Sequence, residues 1–408
     1  LTLKPGDPMV YLYDGEERRI EAHPVDVEVL QDDGTLETRS LTLYTSHFGP
    51  IVDLSAIPSL VGGWPTIARP AITFRDGNIE NDRLVEQWVR MGQAQNMDEF
   101  EEALALIGIP WVNTIAASRD GQAYYGDVTV VPNVTDEQLA DCSQTAIARL
   151  LTRQGFPSLD GARSACEWGN DEGAPAGIVG YERLPHLRTT DYVANSNDSF
   201  WLSNPRSLLE DYGPFSGDEA YEQSIRTRQT FTQAEERRAG TDGGGAPGFV
   251  LEDLMAYVFD GRSYAADLSM EGILAVCAST ADWSAFTADA SRPEAACAVL
   301  LAWDRRFAPS SEGAHLFREV YGRISGLDDL WTTAFDVGDP VSTPRGLNTA
   351  DADVADGVRQ AIVDATARLD AAAIPLDRAW SEVQFRIVGD EHIPVPGMPD
   401  SLGFSVMS

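Results

Sequence analysis

Lysine is almost absent from this chain. One of its 30 basic residues is Lys4 and the other 29 are arginines, so a lysine nucleophile or Schiff base has a single candidate. Against them stand 64 Asp and Glu, giving the 408 residues a formal net charge of −34. An acidic balance of this size excludes a nucleic-acid groove or a docking face for anionic lipid, because both demand clustered Lys and Arg. Long apolar runs are missing too; none approaches the roughly 20 residues needed to cross a bilayer. The five histidines (23, 47, 186, 315 and 392) are scattered, and no G-x-S-x-G elbow is present, which argues against a Ser-His-Asp hydrolase. The four cysteines, at 142, 166, 277 and 297, form no C-x-x-C pair and have no histidine at ligand spacing, so a zinc site is not expected.

What is present is globular in composition, with 43% hydrophobic and 23% charged residues, enough to build a sizeable core. The charge describes the surroundings first. It suits a saline habitat or a GC-rich genome, and it costs self-repulsion that salt screens.

Short β runs open the chain at Val10–Tyr13, Val25–Val29 and Leu41–Tyr44, separated by the turn formers Asp14-Gly15 and Asp32-Asp33-Gly34. Residues 79–107 predict two helices. Val85, Trp88, Val89 and Met91 mark the first apolar face, and Phe100, Ala103, Leu104 and Ile107 the second, with a break at Asn96-Met97-Asp98. Arg119-Asp120-Gly121-Gln122 predicts a hairpin. An irregular stretch over 137–187 leads to strand-like Tyr192–Asn195 and Phe200–Leu202. Residues 218–376 read as mostly helical, broken at 241–248, and strand returns at Val383–Ile387. The expected class is α+β in three parts: strand-rich 1–217, helical 218–376 and a return to the sheet over 377–408.

Three motifs dissolve on inspection. Gly243-Gly244-Gly245-Ala246-Pro247-Gly248 fits G-x-G-x-x-G but follows a charged helix rather than a strand, so it reads as a loop into a helix at Leu251. Asp351-Ala352-Asp353 has the wrong acidic spacing for an EF-hand and reads as a helix start, with carboxylates on the positive end of the dipole. His315–Glu319 lacks the second histidine of a zinc protease. For the cysteines, disulfides are preferred over four buried thiols. Sequential pairing would close loops of 24 and 20 residues and imply an oxidising, exported location.

Two stretches carry chemistry. Asn195-Ser196-Asn197-Asp198-Ser199 concentrates side chains that ordinarily make a turn, but an Asn side-chain NH₂ is also a suitable donor to an oxyanion. Ile109-Pro110-Trp111-Val112-Asn113-Thr114 reads either as a strand opening with a core tryptophan or as the wall of an apolar pocket.

With these strings the sequence resembles the penicillin amidase family of N-terminal-nucleophile hydrolases, in the branch of acyl-homoserine-lactone and aculeacin-type acylases. Further matching text is Val130-Val131-Pro132, Trp201-Leu202-Ser203-Asn204-Pro205, Phe48-Gly49-Pro50, Phe74-Arg75-Asp76 and Cys166-Glu167-Trp168, in the family's order over nearly the whole chain. The resemblance implies an αββα sandwich, an N-terminal Ser nucleophile whose own α-amine is the base, and no cofactor. It implies that Asn197 donates to the oxyanion, that Arg226 orients the site, and that Trp111 and Val112, with Trp88, line an acyl pocket. It also implies the pairs Cys142/Cys166 and Cys277/Cys297, export to the periplasm or beyond, and a small chain from the same precursor as partner.

Position 1 is Leu rather than Ser, Thr or Cys, so the chain is expected to be an interior piece of the large chain, inactive alone. The expected substrate is a lipid-like N-acyl compound such as an acyl-homoserine lactone. Penicillin- or cephalosporin-type acylase activity is the alternative, and a non-catalytic exported binding protein of the same fold is the other.

Overall fold

A computed structural model describes residues 1–52 and 71–403, and the strand-like end at 404–408 lies outside them. The chain divides into two compact units. The first comprises residues 1–191 and 209–217, and the second residues 192–208 and 218 onward.

The first unit opens with an antiparallel meander of β1 (Thr2–Lys4), β2 (Asp7–Tyr13) and β3 (Glu16–Arg19). Its β2–β3 turn is made by Asp14 (φ 49°) and Gly15 (φ 81°), the pair of positive φ angles that a two-residue hairpin requires. A long hairpin follows, of β4 (Glu21–Leu30) and β5 (Leu36–Ser46), extended by β6 (Gly49–Pro50). Helices α1 (Leu84–Gln93) and α2 (Met97–Leu104) are separated at Asn96, whose side chain accepts from Glu99 N–H at 2.9 Å and so caps α2.

The apolar face expected of α1 is not its inward face. Val85, Trp88 and Val89 are exposed, and the buried residue is Gln87. Its Oε1 accepts from the backbone N–H groups of Gly108 at 2.5 Å and Ile109 at 3.0 Å. A buried chain segment with free N–H groups needs an acceptor, and that need sets the rotation of the helix.

Strands β7 (Thr114–Ala117) and β8 (Ala123–Gly126) form the hairpin expected around Arg119–Gln122, joined by β9 (His186–Thr189) in the order β7-β8-β9. Helices α3 (Asp136–Cys142) and α4 (Ala146–Arg153) lie between, and Cys142 is disulfide-bonded to Cys166. Leu104, Ile107, Tyr124, Ile178 and Leu184 form the principal core of this unit.

The second unit carries α5 (Ile225–Ala239), α6 (Leu251–Asp260), α7 (Tyr264–Ser279), α8 (Ser291–Ala302), α9 (Ala314–Ile324) and α10 (Ala352–Ala371). Two small antiparallel pairs accompany them, β10 (Trp331–Thr333) with β11 (Arg345–Leu347) and β12 (Phe385–Val388) with β13 (Glu391–Pro394). The glycine-rich stretch is the loop between α5 and α6, and Asp351 caps α10 by accepting from Asp353 and Val354 N–H. Cys277–Cys297 ties α7 to α8. Closing loops of 24 and 20 residues, each disulfide contributes about 3 kcal/mol by the chain-entropy relation. Met270, Ile273, Phe317, Val320, Val358, Ile362 and Trp380 are fully buried at the centre. The α+β class holds, with helices beside small sheets.

The strands expected at Tyr192–Asn195 and Phe200–Leu202 are not formed. The two arms are joined by a backbone bond from Ala194 N–H to Ser203 C=O at 3.0 Å and by Asn204 Nδ2 donating to Tyr192 C=O at 2.6 Å. Side-chain amides and hydroxyls here take the backbone partners that a neighbouring strand would supply.

Candidate functional site

The N-S-N-D-S turn belongs to the second unit, and its own side chains build it. Asn195 Oδ1 accepts from Asn197 N–H at 2.7 Å, and Asn195 Nδ2 donates to Asp198 C=O at 3.0 Å. This holds Asn197 in the left-handed region at φ 68°, which Asn adopts at lower cost than most residues. Ser199 Oγ donates to Asp218 C=O at 2.5 Å and accepts from Trp201 N–H at 3.2 Å, while Trp201 is wholly buried. Asn197 itself is exposed at the tip.

Helix α5 begins beside this turn. Ser224 caps it by accepting from Thr227 N–H at 3.2 Å, and Ser224 N–H donates to Asp198 Oδ2 at 2.9 Å. Ser196 Oγ and Thr230 Oγ1, 2.9 Å apart, make a second tie one turn further along. The first turn of α5 carries Arg226, whose Nη1 donates to Asn197 Oδ1 at 3.1 Å. Among the described residues, Asn197 Nδ2 has no partner and Arg226 Nε is buried without one. With its oxygen held by a guanidinium, the Asn197 amide keeps its NH₂ as the end left free to donate. Chemically this is a neutral donor backed by a positive charge, suited to an oxygen on which negative charge develops.

Near the other end of α5, Tyr192 Oη donates to Glu235 Oε1 at 2.6 Å, and Arg206 Nη1 donates to the same oxygen at 2.8 Å. Burial first, and the Glu235 carboxylate second, push the Tyr192 phenol up. In the interior of the same helix, Arg228 is fully buried, donating from Nη2 to Pro344 C=O at 2.6 Å and from Nε to Val341 C=O at 3.1 Å.

Of the five residues singled out from the sequence as catalytic or substrate-binding, Asn197 and Arg226 are brought together across 29 positions. Trp88, Trp111 and Val112 belong to the first unit. Trp111 is 70% exposed, so it is not a core tryptophan, and Trp88 is exposed on α1. Asn113 is engaged structurally, accepting from Tyr125 Oη at 2.6 Å. Sequence reasoning missed Asn195 and Asp198 as the groups that set the turn. The signal was available in part, since Asx residues two or three positions apart bond their own backbone and Ser224-x-x-Thr227 is an N-cap pattern.

In the first unit a cleft of about 240 Å³ is lined by Val131, Pro132, Val179, Arg183, Tyr212 and Phe215, among others. Asp127, half-buried at the end of β8, has its carboxyl pushed up to about 6 by burial, against a bond from Thr129. Among the described residues, Asp141, Cys142 and Cys166 alone meet metal-ligand distances. Both sulfurs are spent in a disulfide, so no thiolate is available there. Among the described residues, no helix is long and apolar enough to cross a membrane.

The family described as penicillin amidase matches residues 1–405. The chain is 36% identical over 401 residues to the aculeacin-A acylase of Actinoplanes utahensis, covering 97% of this chain and 48% of that protein. It is 35% identical over 410 residues to the acyl-homoserine lactone acylase PvdQ of Pseudomonas syringae pv. tomato, covering 99% of this chain and 50% of that protein. The chain thus spans about half the length of the curated relatives it matches. Among solved structures, the thermostable penicillin G acylase from Alcaligenes faecalis superposes with a TM-score of 0.54 at 14% identity, over 97% of this chain and 66% of that one. The likeness shows a shared N-terminal-nucleophile hydrolase fold.

Proposed function

The chain belongs to the penicillin amidase family, and from that premise we propose that it is part of an exported N-acylase that hydrolyses the amide of a lipid-like N-acyl substrate. In this reading Asn197 Nδ2 donates to the oxyanion of the tetrahedral intermediate, and Arg226 is the positioning residue that fixes the Asn197 amide. Trp111 and Val112, with Trp88, contact the acyl chain. The nucleophile is a serine that is not among these 408 residues, with its own α-amine as base, and a small chain of the same precursor completes the enzyme. An amine of pKa about 8 is substantially unprotonated near neutrality, as that role requires.

The observation that carries the reading is the 3.1 Å bond from Arg226 to Asn197 Oδ1, which leaves a neutral NH₂ free to donate at an exposed turn. The relatives named acyl-homoserine lactone acylase and aculeacin-A acylase support an N-acyl substrate of that kind ahead of a penicillin. Exposed Trp88 and Trp111 supply apolar surface of the kind a lipid-like acyl group needs. Two disulfides agree with an oxidising compartment.

The test is to express the whole reading frame and incubate the processed protein with N-acyl-homoserine lactones of increasing chain length and with penicillin G. Release of fatty acid and homoserine lactone in equal amounts, rising with chain length, is expected. Faster release of phenylacetate from penicillin G would replace the lipid-like substrate by the antibiotic one.

A further inference from the structure

Helix α6 is turned inside out. Its inward line is polar: Asp253, Tyr257 and Asp260 recur at helical spacing. Tyr257 Oη donates to Asp242 Oδ2 at 2.6 Å, and Asp242 also receives the buried Arg237 Nη1 at 2.9 and 3.0 Å. Asp253 Oδ2 lies 3.6 Å from Arg237 Nε, and Asp260 pairs with Arg306. The outward line is Leu251, Leu254, Met255, Val258 and Phe259, each between 43% and 67% exposed. Positions i, i+3, i+4, i+7 and i+8 are the pattern of a stripe that packs on a core. Rotating α6 to bury that stripe would break the Tyr257–Asp242 bond and the pairs of Asp253 with Arg237 and of Asp260 with Arg306, and carbonyl or water partners would have to replace them in a less polar surrounding. The ion network therefore holds the apolar stripe outward. In the first unit α1 repeats the pattern, with Gln87 buried and Val85, Trp88 and Val89 exposed.

We propose that the outward stripe of α6 is a docking surface for an apolar segment of the same precursor polypeptide that lies outside these 408 residues. The proposal rests on the reading of the chain as part of a longer acylase. Curated relatives are about twice as long as the matched region, and the matched part of the penicillin G acylase chain leaves about a third of it uncovered. Polypeptide to cover the stripe therefore exists in its relatives. The other occupants fit less well. Within its bounds α6 has three acidic residues and no Lys or Arg, the wrong charge for an anionic lipid surface. Two copies of a chain carrying −34 repel each other, whereas a segment of one's own precursor is held at high effective concentration.

To test this, a photo-crosslinking residue is placed at Met255 in the protein expressed from its whole reading frame, and the captured peptide is sequenced by mass spectrometry. A peptide from outside residues 1–408 is expected, with a yield reduced at least about fivefold by Leu254→Gln together with Val258→Gln, since each removes apolar contact area from the stripe. The far-UV spectrum of that variant should be unchanged, because neither side chain is buried. Capture of a peptide from within 1–408, on the same or a second copy, overturns the proposal, and so does the absence of capture. Capture as expected in a protein that hydrolyses no N-acyl substrate supports the docking surface and overturns the functional reading alone.

Discussion

Replacing Asn197 by glycine separates the chemistry of its side chain from the conformation of its backbone. At φ 68° glycine is unstrained, and the Asn197→Gly variant keeps the backbone N–H that donates to Asn195 Oδ1 at 2.7 Å. What is lost is the side-chain amide, including the oxygen held by Arg226. That bond is solvent-exposed on the Asn197 side, so its loss costs at most about 1 kcal/mol of stability. The melting temperature should fall by no more than about 4 °C in a unit of this size. Asn197→Ala, unlike the glycine variant, keeps a Cβ in the left-handed region without the polar side chain that eases it for Asn, a further cost of roughly 1–2 kcal/mol. If Nδ2 is the oxyanion donor, both variants lose about 10²- to 10³-fold in kcat, equivalent to about 2.7–4 kcal/mol of transition-state stabilisation, with KM little changed. The assay is the initial rate of fatty-acid release by the processed enzyme, read beside a thermal melt of the same samples. Asn197→Gly retaining more than a tenth of the wild-type kcat would refute the assignment. So would activity losses that follow the melting temperatures of the two variants.

Two further predictions concern stability. Asp127 has its carboxyl raised to about 6, above the unfolded value of 3.8, so the folded state holds this proton more tightly. The linked stability is therefore present below about pH 4 and declines as pH rises through 6, by about 3 kcal/mol in all. Asp127→Asn should leave stability almost unchanged at pH 4 and raise it at pH 8 in denaturant melts, and an equal effect at both pH values would contradict the sign. A glycine pair probes packing: a Cβ at Gly272 on α7 would meet Leu347 Cβ at 2.5 Å, whereas at Gly322 on α9 it meets nothing within 4 Å. Gly272→Ala should destabilise by about 1–3 kcal/mol and Gly322→Ala should stabilise by about 0.5–1 kcal/mol, so equal shifts in melting temperature would mean that Leu347 moves aside.

The sequence by itself determined the features that depend on neighbours along the chain. The Asp14-Gly15 turn, the break at Asn96, the loop before Leu251 and the Asp351 cap each follow from one or two residues whose backbone preferences or side-chain acceptors act within a few positions. The Asn195–Ser199 string marked a turn for the same reason, since its amides reach their own backbone.

Tertiary structure decided which faces are inside. The apolar periodicity of α1 was legible, yet it faces outward because buried Gln87 takes the N–H groups of Gly108 and Ile109, and α6 likewise turns its polar line to the Arg237–Asp242 pair and to Arg306. The stretch from Tyr192 to Leu202 has strand-like residues but, among the described residues, no neighbouring strand, and a strand exists only in a pair. The meeting of Asn197 with Arg226 is of this second kind. Residue types suggest the chemistry, but the 3.1 Å contact exists because Asp198 and Ser196 tie the turn to the first turns of α5. Local preferences act over a few residues and are written in their order, whereas burial is settled by which distant groups can satisfy each other.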